Sequence, residues 1–224
     1  MILSSKRKFI FLRVPKTAST SLTHQIAERL GDDIDCHSGL HFSKFVKNKE
    51  ELRMYSNLQV KMIGVPIQDS MYPKAVHFTL EDLVKYKIIF PSELKNYKVY
   101  GVIRNPIDWF LSHVGMTFPI EMKNLPVNEK VNSLLDIKEQ FYPPQSKWLK
   151  FRGNLISDIV LYPHFDKLLF ELTNDSTLRY NHRSDFRNHS EQITDESLIQ
   201  RLENAYKEDF EIYDEVSKNY NAKN

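Results

Sequence analysis

Apolar and polar positions alternate between two periods along this chain. Residues 8 to 14, "KFIFLRV", form a short run rich in β-branched and aromatic residues that stops at Pro15, which predicts a buried strand closed by a loop. From Ser19 to Leu30 the period changes: Leu22, Ile26, Ala27 and Leu30 recur at helical spacing, and Gly31 follows as a C-cap. The opening unit is therefore strand, loop, helix. "LQVKMIGV" (58 to 65) and "KVYGVIR" (98 to 104) predict two further strands, each followed by Pro and a helical pattern. Alternation of this kind predicts an α/β fold with a largely parallel central sheet flanked by helices.

The punctuation between these runs is specific. Thr79 with Asp82 approximates a capping box ahead of Leu80, Leu83 and Val84, so His77 falls just before a helix. Asn105 and Pro106 suit the N-cap and first turn of a helix carrying Ile107, Phe110, Leu111 and Val114, with Ser112 about two turns in at roughly 3.6 residues per turn. Leu198, Leu202, Ala205, Phe210, Tyr213 and Val216 predict one long amphipathic helix at the end. Residues 118 to 144 mix Pro, Asn and a short amphipathic run and suit a mobile insertion over a site.

Composition narrows the picture. The chain has 224 residues, 41% of them hydrophobic, which fits a single domain, 1–224, with a sizeable core. Lys plus Arg number 31 against 29 for Asp plus Glu, so the net charge of +2 argues against a nucleic-acid-coating protein. The "KRK" at 6 to 8 reads as a solvated strand edge. The single cysteine, Cys36, rules out an intramolecular disulfide, and "MILSS" before Lys6 is no leader or anchor, so a cytoplasmic protein without a membrane anchor is expected. His and carboxylates show no ligand spacing, so no metal is expected.

The first loop carries the chemistry. A strand running into a donor-rich turn and a helix N-terminus holds phosphate well, because unpaired N–H groups and the helix dipole face the anion. Pro15, Lys16, Thr17, Ala18, Ser19, Thr20 and Ser21 form that turn, with Lys16 as the full charge and the hydroxyls as donors. A helix cap with a solvated lysine is the bland alternative. The Walker pattern is absent, since it needs two glycines and ends, rather than begins, with its lysine.

"RVPKTASTS" resembles the 5'-phosphosulfate loop of sulfotransferases that use 3'-phosphoadenosine 5'-phosphosulfate (PAPS), in particular the heparan sulfate 2-O-sulfotransferase branch. "YGVIRNPIDWFLSHV" resembles that superfamily's 3'-phosphate segment, and "PPQSKWL", "LYPHFDKLLFEL" and "AYKEDFEIYDEV" resemble later segments. The resemblance implies a P-loop-like three-layer fold, PAPS as donor with adenosine 3',5'-bisphosphate (PAP) as product, and Arg104 and Ser112 on the 3'-phosphate. It implies sulfuryl transfer by in-line displacement to an acceptor hydroxyl on a saccharide or small molecule, with Lys16 beside the bridging oxygen.

The base is sought among eight histidines. "KAVHFTLEDL" resembles the family's His segment, which makes His77 the first candidate; a helix N-terminus would also depress its pKa and keep it neutral. His41 is the alternative, with His37 beside it. Trp148 and Gln145 are secondary candidates for a cleft wall, and Arg179, His182, Arg183 and Arg187 for an anion contact. Two other readings stay open: a nucleotide-dependent kinase of related fold, and a noncatalytic PAP-binding protein.

Overall fold

The structure is a computed structural model that describes residues 1–34, 36–37, 77–85, 87–117, 125–136, 143–156, 158–162, 164–177 and 193–222. The expected strand at 58–65, His41, and the cluster Arg179, His182, Arg183 and Arg187 lie outside the described residues, as does part of the 118–144 segment.

Strands β1 (Ile2–Ser4) and β2 (Phe9–Phe11) open the chain, followed by α1 (Ser19–Leu30) and the short β3 (Cys36–His37). Helices α2 (Leu80–Lys85) and α3 (Pro91–Leu94) precede β4 (Lys98–Ile103) and α4 (Pro106–Thr117). Then come α5 (Val127–Leu135), α6 (Ser146–Leu149), the hairpin β5 (Lys150–Phe151) with β6 (Asn154–Leu155), β7 (Asp158–Leu161), α7 (Phe165–Thr173), α8 (Glu196–Ala205) and α9 (Lys207–Asn221).

The main sheet has the order β3-β1-β2-β4-β7. β2 pairs with β4, and β4 with β7, in parallel, but β1 is antiparallel to both β2 and β3. Among the described residues the sheet is therefore mixed rather than largely parallel. The cause lies in residues 5–8, which form a turn and not a strand edge; so short a link joins only antiparallel neighbours, since a parallel crossover needs a dozen or more residues. Arg7 in this turn is 3.1 Å from Asp33, and Lys6 pairs with the same carboxylate.

Period-2 patterning sorts the strand residues between two cores. Phe9, Phe11, Tyr100 and Val102 pack with Leu22 and Ile26 of α1 and Leu168, Leu169 and Leu172 of α7. Ile10, Leu12, Val14, Val99 and Ile103 face the other way, onto Leu80 and Leu83 of α2, Trp148 and Leu149 of α6, and Ile212 of α9. Helices thus cover both faces of the sheet. Gly101 lies on the second face, where a Cβ would stand 2.6 Å from Leu149 Cδ2 and 2.9 Å from Ile156 Cδ1. Its bare backbone lets α6 sit close to the sheet.

A third cluster joins Trp109, Phe110 and Val114 of α4 to Val131 and Leu134 of α5 and Leu198 and Leu202 of α8. The expected single C-terminal helix is two, separated at Tyr206 with φ −122 and ψ 30. Beyond it the apolar stripe divides, with Phe210 still packed on this cluster and Tyr213 and Val216 on the sheet core. Tyr206 is buried against Trp109 and Phe110, with ring centroids 5.4 and 5.6 Å away, whereas Ile212 four turns' length from the start of α8 faces the sheet core.

Candidate functional site

The loop after β2 leads into α1 through two residues in the left-handed region, Lys16 (φ 61) and Ala18 (φ 58), neither of them glycine. Each such residue costs on the order of 1–2 kcal/mol, so the surroundings must hold the loop in place. They do so through its carbonyls. Val14 O accepts from Thr17 Oγ1 at 2.9 Å and Ser19 Oγ at 2.8 Å; Pro15 O accepts from Trp109 Nε1 at 2.8 Å; Lys16 O accepts from an Arg104 terminal nitrogen at 3.3 Å. With successive carbonyls turned into the protein, the trans peptide geometry turns the N–H groups of Lys16 and Thr17 the opposite way.

The helix start adds to that face. Ala18 is the N-cap of α1, no side chain caps it, and the first intrahelical bond is Leu22 N to Ala18 O at 3.1 Å. The N–H groups of Ser19, Thr20 and Ser21 therefore have no partner in the helix and add the positive end of its dipole. Thr17 and Ser19 spend their hydroxyl protons on Val14 O rather than toward an anion, and Thr20 Oγ1 accepts from Arg13 at 2.8 Å. The backbone, not the hydroxyls of Thr17 and Ser19, faces outward here.

Arg104 enters from the carboxyl end of β4, the neighbour of β2. It is only 7% exposed, and its guanidinium lies 4.8 Å from the centroid of the Tyr162 ring. Its Nε is buried with no hydrogen-bond partner among the described residues. Burial lowers its pKa, as it does for Lys16, where the charge of Arg104 lowers the pKa further. Cations pressed together in this way favour a bound anion.

Asn105 caps α4 as the sequence predicts, its Oδ1 accepting from Ile107 N at 3.0 Å and Asp108 N at 3.3 Å. Trp109 reaches the loop, and Ser112 and His113, three and four residues on, share its helix face. Ser112 is half-buried there. His113, which sequence reasoning missed, has its ring 4.6 Å from that of Trp109. That contact sets it against the residue that ties down the loop, and its pKa is pushed down to about 3, first by burial and then by the charges of Lys16, His77 and Arg104. Its position beside Ser112, one turn after Trp109, was the available signal.

His77 stands immediately before α2, where Thr79 and Asp82 complete the predicted cap: Thr79 N and Oγ1 each donate to Asp82 Oδ2 at 2.9 Å, and Asp82 N donates to Thr79 Oγ1 at 3.1 Å. His77 Nδ1 is 2.7 Å from Arg13 O. A carbonyl can only accept, so Nδ1 carries the proton and Nε2 carries the lone pair. The pKa is pushed down to about 4, chiefly by burial, with the Arg13 and N-terminal charges assisting and the carbonyl bond opposing. The direction matches the sequence-based expectation, while burial rather than the helix dipole is the leading cause.

Trp148 and Gln145 do not form a cleft wall. Both are buried, Trp148 donating from Nε1 to His77 O at 2.7 Å and Gln145 bonding the main chain of Arg104. Comparison with protein-family models, with curated proteins and with solved structures finds no match to this chain. The site is accordingly characterised by its geometry: Lys16, Arg104, His77 and His113 converge beside an uncapped helix start at the carboxyl ends of two parallel strands, where ligands of α/β sheets bind.

Proposed function

We propose that this protein is a sulfotransferase of P-loop-like fold that takes a sulfuryl group from PAPS and passes it to an acceptor hydroxyl, on a saccharide or a small molecule. The observation that carries the reading is the contact between Arg104 and the carbonyl of Lys16, 3.3 Å apart, which joins the two segments that resemble the 3'-phosphate and 5'-phosphosulfate elements into one cationic site. The donor set fits the group. Backbone N–H groups between Lys16 and Ser21 would hold a 5'-phosphosulfate, and Arg104, with its unpartnered Nε, together with Ser112 would hold a 3'-phosphate.

In the transfer, a bond forms between the acceptor oxygen and sulfur while the bond from sulfur to the phosphate oxygen breaks. Lys16 opposes the charge that grows on that phosphate oxygen. His77 Nε2 takes the acceptor proton, and the Nδ1 bond to Arg13 O holds the ring in the required tautomer. Burial holds the His77 pKa down at about 4, and the negative charge of a bound anion would raise it toward neutrality. The reading includes a cytoplasmic location, which a lone cysteine suits; among the described residues no helix is long and apolar enough to cross a membrane.

Thermal unfolding in the presence of PAP, AMP or ATP tests the reading. PAP is expected to stabilise the wild type selectively, and Arg104→Ala is expected to lose that selectivity. Equal stabilisation by ATP with magnesium, or none by PAP, overturns it.

A further inference from the structure

Arg104 and His77 come from different segments, and one short piece of chain ties both in place. The side chain of Gln145, fully buried, brackets the main chain of Arg104: Arg104 N donates to Gln145 Oε1 at 3.0 Å, and Gln145 Nε2 donates to Arg104 O at 2.9 Å. This pairing extends the β4 ladder by one residue, using an amide side chain where a neighbouring strand would otherwise be. Trp148, one turn on in α6, donates to His77 O at 2.7 Å.

The segment is itself anchored from far along the chain. Asp209, fully buried in the first turn of α9, accepts from Gln145 N and Ser146 N, each at 2.7 Å, and so caps α6 from outside. Burial raises its carboxyl pKa to about 6 against those same bonds, the expected sign of a carboxylate placed for geometry at a cost in solvation.

We infer that Gln145, Trp148 and Asp209 are positioning residues that fix Arg104 and His77 relative to one another, with Gln145 setting where the guanidinium points. The inference rests on the proposed function only for the identity of the anion; the bracketing of Arg104 stands apart from it. From this bracketed main chain at the carboxyl end of β4 the Arg104 side chain runs past Tyr162 to the carbonyl of Lys16. Movement of Gln145 would release that route without removing any charge.

Two readouts test this in Gln145→Met, which keeps the side-chain volume and loses both bonds, and in the milder Gln145→Glu, which keeps only the acceptor. The first is amide hydrogen exchange at Arg104 relative to Ile103, followed by NMR. Exchange at Arg104 is expected to quicken about tenfold in Gln145→Met and less in Gln145→Glu, since a buried N–H loses its acceptor only in the former. Unchanged exchange at Arg104, or equal acceleration at both amides, overturns the inference whatever the ligand proves to be.

The second is calorimetric affinity for PAP and for AMP, which lacks the 3'-phosphate. Gln145→Met is expected to weaken PAP about tenfold and AMP by less than about threefold, because the 3'-phosphate would meet Arg104 directly while the 5' loop keeps its bonds from Thr17, Ser19 and Trp109. Parallel losses for both nucleotides would show a merely structural role and overturn the positioning of the guanidinium. Should wild type bind PAP no better than AMP, the sulfotransferase reading fails, and the exchange result alone decides the role of Gln145.

Discussion

His77 illustrates how one hydrogen bond selects a chemical role. Because Arg13 O claims Nδ1, the acceptor nitrogen is Nε2, and replacing the ring tests that assignment. His77→Gln is expected to reduce turnover by about 100-fold or more, with PAP affinity within about threefold of wild type, as measured by single-turnover transfer once an acceptor is found. Lys16→Ala is expected to lower the rate of transfer more than acceptor affinity, because in the proposed transfer its charge meets the leaving phosphate rather than the nucleophile. An equal loss in both parameters would place Lys16 in ground-state binding instead.

At the scale of elements, α4 acts as a strut for the loop. Trp109→Phe keeps the ring packed against Tyr206 but leaves Pro15 O without its donor, which is expected to cost about 1–3 kcal/mol in urea unfolding and to weaken PAP binding. A stability loss with unchanged PAP affinity would show that the loop keeps its shape without Trp109. Gly101→Ala pushes a methyl group toward Leu149 and Ile156, both of them ends of flexible side chains, so about 1 kcal/mol is expected, with Gly101→Val costing more. The local elements were legible because their signals are local. α1 spans Ser19–Leu30 as the apolar spacing indicated, and the caps at Asn105 and Thr79 are read from neighbouring residues. β1 was not legible: Ile2–Ser4 is too short for a period, and it is a strand only because β2 and β3 flank it. The division of the last helix at Tyr206 was likewise hidden, since the amphipathic pattern runs through it unbroken and only the backbone of Tyr206, φ −122 and ψ 30, separates α8 from α9.

For the whole molecule, buried titratable groups set the pH dependence. Folding depresses His77 and His113 to about 4 and about 3 from 6.5, so between those limits the unfolded chain binds more protons and stability falls as pH falls. Asp209 opposes this: raised to about 6 from 3.8, it favours the folded state at lower pH, and that contribution is lost as pH rises through about 6. Two protons against one leave a net of about one, so stability is expected to drop by about 1.4 kcal/mol per pH unit from about pH 6 to about pH 4.5, measured by urea unfolding. His113→Asn should flatten the slope, and a bound anion such as PAP should flatten it as well, by raising the folded-state pKa of the rings back toward 6.5. A flat profile in wild type would mean that the histidines are more solvated than their packing indicates.

The sequence by itself determined the strand, loop and helix that open the chain, the caps, and the residue types that an anion site requires, because propensity, capping and apolar spacing act over a few residues. It also pointed to Lys16, His77, Arg104 and Ser112, through motifs that each lie within one short segment. Only the tertiary structure decided that the sheet is mixed, that the hydroxyls of Thr17 and Ser19 turn inward, that His113 joins the cluster, and that Gln145 and Asp209 stand behind Arg104. Each of these depends on which backbone groups are left without partners once distant segments meet. Burial makes such groups costly unless paired, so the partner is chosen by packing and cannot be read from the residues that surround it in the chain.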